Sequence, residues 1–118
     1  PSLTATDTGA MFDPDAPRHI RVFDVGADGR SLSQGTVFHT VAPGCADGFR
    51  FDTEGNLWTS AGDGVHCLAP DGELLGKILV PETVGNLCFG GRGKSRLYIC
   101  ASTSLYAVTL NRRGAQAP

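Results

Sequence analysis

The sequence predicts an all-β fold built from propeller-type blades, and three observations carry that reading. Leu57-Trp58-Thr59-Ser60-Ala61 followed by Gly64-Val65-His66-Cys67-Leu68 recurs about forty residues on, as Leu97-Tyr98-Ile99-Cys100-Ala101 followed by Ser104-Leu105-Tyr106-Ala107-Val108. A four-stranded propeller blade has that period. Upstream of each copy lies a second matched pair, Phe49-Arg50-Phe51-Asp52 and Leu87-Cys88-Phe89-Gly90. Finally, no segment shows sustained helical periodicity with a capped start and stop, and the 16 Gly among 118 residues imply many tight turns.

The elements follow in order. Leu3 to Asp7 reads as the end of a strand, and Thr8 to Arg18 as a loop rich in Gly, Pro and Asp. His19 to Val25 alternates polar and apolar residues as a half-buried strand does; Asp28-Gly29 marks a turn, and Gly35 to Val41 is the returning strand. A full blade begins at Asp47. Turns at Glu54-Gly55-Asn56, Asp63-Gly64 and Asp71-Gly72 separate its four strands, the last being Leu74 to Val80. The second copy runs from Leu87 to Leu110 and stops after three strands, leaving a polar tail, Asn111 to Pro118, expected to fray. The expectation is ten strands in groups of three, four and three: one partial domain over residues 1–118, or about two and a half blades. A closed ring takes four to eight blades, so open blade faces and sheet edges are expected at both ends.

Composition narrows the function. Ten Lys and Arg against twelve Asp and Glu give a net charge of −2, and no basic cluster exceeds Arg112-Arg113, which argues against a nucleic-acid partner. No window supplies the uninterrupted apolar run of a membrane helix. No stretch reads as a secretory signal; the chain starts at Pro1 and its only Met is Met11, so the beginning of the gene product is expected upstream. The four Cys, at 45, 67, 88 and 100, have no Cys-x-x-Cys spacing and read as core thiols of a reducing, cytoplasmic compartment. The three His stand apart at 19, 39 and 66 without a cluster of N or S ligands, which speaks against zinc. There is no Gly-x-Ser-x-Gly elbow, and Gly90 to Ser95 lacks phosphate-loop spacing and reads as a hairpin turn. Trp58 and Tyr98, equivalent across the repeat, are expected to pack between blades.

The run from Pro43 through Asp47-Gly48-Phe49-Arg50-Phe51-Asp52 to Trp58 resembles the senescence marker protein-30, gluconolactonase and luciferin-regenerating enzyme family. Pro81-Glu82-Thr83, Asn86 to Gly91 and Leu97-Tyr98-Ile99 are similar to the signature that follows it in that family, and Asp7-Thr8-Gly9 with Pro17 to Phe23 looks like the bacterial gluconolactonase branch. The resemblance implies the C-terminal portion of a six-bladed propeller and a metal-dependent lactonase acting on sugar lactones. It further implies one divalent metal, most often calcium, held by a Glu, an Asn and the Asp of the Asp-Gly motif. Only that Asp, Asp47, has a counterpart here; the Glu and Asn would lie upstream, so the expectation is a fragment or shortened form.

On this reading Asp47 is the metal ligand and the candidate catalytic group, with Asn86 and Asp7 as candidate channel-lining residues. The bland alternatives stand beside these roles. Asp-Gly occurs four times, and at 28, 63 and 71 it makes turns. Asn86 is equivalent to Gly48 and not to Asp47 when Phe51 is aligned with Phe89, and reads first as a hydrogen-bonding strand-start residue; Asp7 reads as a turn initiator. The alternative function is a non-catalytic propeller module whose open edges serve self-assembly or partner binding.

Overall fold

The computed structural model describes residues 1–116. Its strands are β1 (Ser2–Thr6), β2 (His19–Asp24), β3 (Thr36–Thr40), β4 (Phe49–Phe51), β5 (Leu57–Ala61), β6 (Gly64–Leu68), β7 (Leu74–Leu79), β8 (Val84–Gly90), β9 (Arg96–Ala101) and β10 (Leu105–Thr109). They form three antiparallel sheets in chain order, β1-β2-β3, β4-β5-β6-β7 and β8-β9-β10, hereafter blades 1, 2 and 3. The three, four, three grouping is the one the repeat predicts. A single 3-10 turn, Gly9–Met11, interrupts the loop after β1.

The outer blades are amphipathic, the central strands of blade 2 are buried on both faces, and the faces stack. Strand alternation sends Leu57, Ala61 and Leu68 of blade 2 to one side, where they meet Ile20, Val41 and Ala46. Trp58, Val65 and Cys67 point to the other side and pack on Val84, Leu87, Phe89, Leu97 and Ile99 of blade 3. Every residue of β5 and β6 is consequently buried. The outer blades have one covered face each, and their far faces leave Leu3 at 45% and Val37 at 47% exposed on blade 1 and Leu105 at 67% on blade 3.

Three expectations change. The four thiols are not all core groups: Cys67 is buried and Cys45 half-buried, but Cys88 and Cys100 are exposed, because both alternate onto the uncovered face of blade 3. Strand β8 starts at Val84, ahead of the expected Leu87, through a bulge between Val84 and Asn86. The segment after β10 does not fray through Ala115. Arg113 C=O accepts from Thr53 N–H at 2.8 Å, Gly114 N–H donates to Lys94 C=O at 2.9 Å, and Ala115 N–H donates to Phe51 C=O at 2.9 Å. The tail thereby runs along β4 through a bridge between Asp52 and Gly114. Polarity hid this, since the attachment uses backbone groups; Gly114 permits it, because an added Cβ would lie 2.4 Å from the Phe89 Cβ. The expected fraying of residues 117 and 118 falls outside the described residues.

Candidate active site at the meeting of β4 and β8

Asp47-Gly48 differs from the other Asp-Gly pairs. Gly29, Gly64 and Gly72 all have positive φ, as turn glycines do, whereas Gly48 does not and leads straight into β4. Its lack of a side chain is a matter of space: a Cβ there would sit 2.1 Å from Asn86 Oδ1. The buried Ser60 of β5 fixes this strand start, its Oγ accepting from Asp47 N–H at 2.9 Å and Gly48 N–H at 3.1 Å, while Ser60 N–H donates to Gly48 C=O at 2.9 Å. The Asp47-Gly48 backbone is thus held by three hydrogen bonds around one serine, one at Asp47 and two at Gly48. Its side chain is exposed and, among the described residues, accepts no hydrogen bond.

Asn86 reaches the same place from the neighbouring blade. The β-bulge ahead of it re-aims the strand, as bulges beside functional sites do. Asn86 Oδ1 accepts from Leu87 N–H at 2.8 Å, which matches the strand-start alternative and orients the amide. With Asp47, Gly48 and Arg50 it lines a recess of about 530 Å³, closed on one side by Ala115 and Gln116 of the tail. Asp47 and Asn86 also share a second recess with Gly85 and Cys100. The structure therefore brings two of the three singled-out residues together.

Asp7 is not with them. Its Oδ1 accepts from Gly9 N–H at 2.9 Å in the turn after β1, and it lines a separate recess beside Arg21 and Phe23. That is the geometry of the turn-initiator alternative.

Sequence reasoning passed over three polar groups. Asp52, 2% exposed, follows β4 and clasps the ensuing turn: Oδ1 accepts from Glu54 N–H at 2.9 Å and Asn56 N–H at 3.0 Å, and Oδ2 from Asn56 Nδ2 and Trp58 Nε1, both at 2.9 Å. Burial pushes its carboxyl up, but these donors outweigh it and hold the acid below its ordinary value. Asp63 does more than make its turn. It pairs with the buried His66 at 2.6 Å and with Lys77 at 2.9 Å, and although burial again pushes upward, Lys77 and His66 keep its carboxyl lowered. The third group is Arg50, on the recess wall. Asp-x-x-Gly before a tryptophan is a readable signal for the first; nothing in the spacing announces the other two.

The residues present suit a hard cation in kind. Asp47 offers both carboxylate oxygens and Asn86 an amide oxygen, the donor class calcium prefers. In number they fall short of the six to eight oxygens such an ion takes, and among the described residues no group of three or more His, Cys, Asp or Glu is gathered anywhere.

The family model for the SMP-30/gluconolactonase/LRE-like region matches residues 6–103. The chain belongs to this family. It is 31% identical to the lactonohydrolase oryH of Aspergillus oryzae over 95% of this chain and 27% of that protein. It is 42% identical to a gluconolactonase of Zymomonas mobilis over 55% of this chain and 18% of that one. Among solved structures it superimposes on a gluconolactonase of Xanthomonas campestris with a TM-score of 0.76 and 31% identity, over 92% of this chain and 33% of the other. It also superimposes on a luciferin-regenerating enzyme with a TM-score of 0.80 and 25% identity, over 96% and 43%. The chain thus spans less than half the length of each of these relatives.

Proposed function

We propose that this chain carries part of the active site of a metal-dependent lactonase that hydrolyses sugar lactones. The observation that supports it best is the pairing of Asp47 and Asn86, presented from neighbouring blades on one open recess, in a chain whose relatives are named gluconolactonase and lactonohydrolase. On this reading Asp47 and Asn86 hold a divalent cation, calcium in preference to softer ions, and further oxygens complete the site. The bound cation supplies Lewis acidity for the lactone carbonyl and for water. The free Asp47 oxygen accepts a proton from the attacking water; the water oxygen bonds to the carbonyl carbon, the ring C–O bond breaks, and the ring oxygen leaves as a hydroxyl bearing a proton. The product acid ionises to an aldonate.

The test is hydrolysis of gluconolactone followed by proton release, with calcium or manganese, in wild type and Asp47→Asn. The reading expects metal-dependent turnover in wild type and a loss of at least about a hundredfold in the variant, the scale of a removed acid-base group. Equal turnover in both would remove Asp47 from the reaction.

The outward Leu3, Val37 and Leu105 favour a second reading, a module that assembles through its open blade faces. Light scattering separates the two: a monodisperse monomer across the micromolar range speaks against self-assembly.

A further inference from the structure

One wall of the Asp47 recess carries a guanidinium, that of Arg50, which has no carboxylate partner among the described residues. Arg50 lies in the middle of β4 and pairs with Trp58 across the sheet, which turns its side chain toward blade 3 and the recess. Its Nη1 donates to Phe49 C=O at 2.7 Å. Its Nε is shut off from solvent and has no hydrogen-bond partner among the described residues. Leaving a charged N–H desolvated and unpaired is costly. The described ion pairs are His66–Asp63, Lys77–Asp63 and Arg112–Glu54, and Arg50 belongs to none of them.

Packing does not explain the residue. Aligning Phe51 with Phe89 makes Arg50 the counterpart of Cys88, so the repeat does not demand an arginine here. Position 50 lies across the sheet from Trp58, on the side where blades 2 and 3 meet, and an apolar side chain there would carry no desolvated charge. Arg50 is also the one basic side chain on the recess wall among the described residues. With Nε enclosed and Nη1 given to Phe49 C=O, Nη2 is the charged N–H group left to an anion that enters the recess beside Asp47 and Asn86.

We propose that Arg50 binds the carboxylate of the ring-opened sugar acid in this recess, with Asn86 and the Gln116 amide facing its hydroxyls. The inference rests on the lactonase reading for its choice of ligand. A neutral lactone lacks the anion, so Arg50 distinguishes product from substrate and makes the acid an inhibitor of its own formation.

The experiment is calorimetric titration of the 118-residue chain with sodium gluconate and, separately, with the uncharged polyol sorbitol, in wild type, Arg50→Gln and Arg50→Lys, each checked by circular dichroism for a native sheet spectrum. The expected result is saturable gluconate binding in wild type, at least tenfold weaker in Arg50→Gln and partly restored in Arg50→Lys, with sorbitol at least tenfold weaker than gluconate throughout. Gluconate binding that survives Arg50→Gln unchanged overturns the inference, as does the absence of gluconate binding in wild type or equal affinity for sorbitol. Lactone hydrolysis on the same samples keeps the two readings apart. Arg50-dependent binding without turnover upholds the anion site and defeats the enzyme reading. Turnover whose gluconate inhibition is indifferent to Arg50→Gln does the reverse.

Discussion

Blades 2 and 3 are copies of one repeat that meet different surroundings. In blade 2, Trp58 is 8% exposed, stands edge-on to Phe89 at a centroid distance of 6.0 Å, and donates its Nε1 to Asp52. Its counterpart Tyr98 points to the uncovered face of blade 3, half-exposed beneath Arg96, whose guanidinium lies 5.6 Å from the ring centroid. The residue equivalent to Asp52 is Gly90, where an added Cβ would meet the Tyr98 ring at 2.8 Å. The enclosed aromatic has a carboxylate to satisfy its N–H, and the open one has an empty position to lie across. A repeat therefore fixes strand direction and register, while each aromatic's partners depend on whether a neighbouring blade covers it.

The largest expected effect that probes this contrast is Trp58→Ala, which removes a ring packed between two blades and leaves Asp52 short of a donor. Its cost should be about 3–5 kcal/mol in urea unfolding, against about 1 kcal/mol or less for Tyr98→Ala. Equal costs would mean that the face of blade 3 is covered in solution.

Asp52→Ala strands the Asn56 and Trp58 donors and should cost about 1–3 kcal/mol. The same carboxylate shapes the acid limb. Its folded-state pKa is lowered, so its contribution is fully present above the ordinary carboxylate range and is lost as pH falls through the lower folded value. Asp52→Asn should therefore flatten the decline in melting temperature below about pH 4, while Asp28→Asn, on the surface, should leave the protein's neutral-pH stability unchanged.

Thiol chemistry sharpens the comparison without touching stability. Burial, with the Asp52 charge behind it, pushes the Cys67 thiol up to about 11. Cys88 and Cys100 are exposed on blade 3. Two sites should label rapidly with a maleimide at pH 7 and Cys67 only on unfolding; rapid labelling of Cys67 would contradict a closed blade 2–blade 3 interface. The smallest effect is Leu105→Ala, expected within about 0.5 kcal/mol of wild type because the side chain buries little.

Much of the fold was legible because the forty-residue period, the alternating strands and the Asp-Gly turns are local signals. The site was legible only in part. Asp47 came through a resemblance, and the structure adds that its glycine is there for space and not for a turn. The partnership with Asn86 depends on a bulge and on the stacking of one blade against another, neither of which leaves a mark in residue spacing. The tail's attachment to β4 runs through backbone groups and the bare Gly114, so its polar composition pointed the other way. Arg50 stands between Phe49 and Phe51 as any polar residue of an alternating strand does, and only the structure shows its Nε enclosed without a partner among the described residues.

The central claim is that Asp47 is a metal ligand, and calcium or manganese titration by calorimetry tests it most directly, using wild type, Asp47→Ala and Asp7→Ala. The account predicts saturable, weak binding, on the order of millimolar as for sites poor in ligands, lost in Asp47→Ala and retained in Asp7→Ala. Binding that persists unchanged in Asp47→Ala, or that vanishes with Asp7 instead, would contradict it.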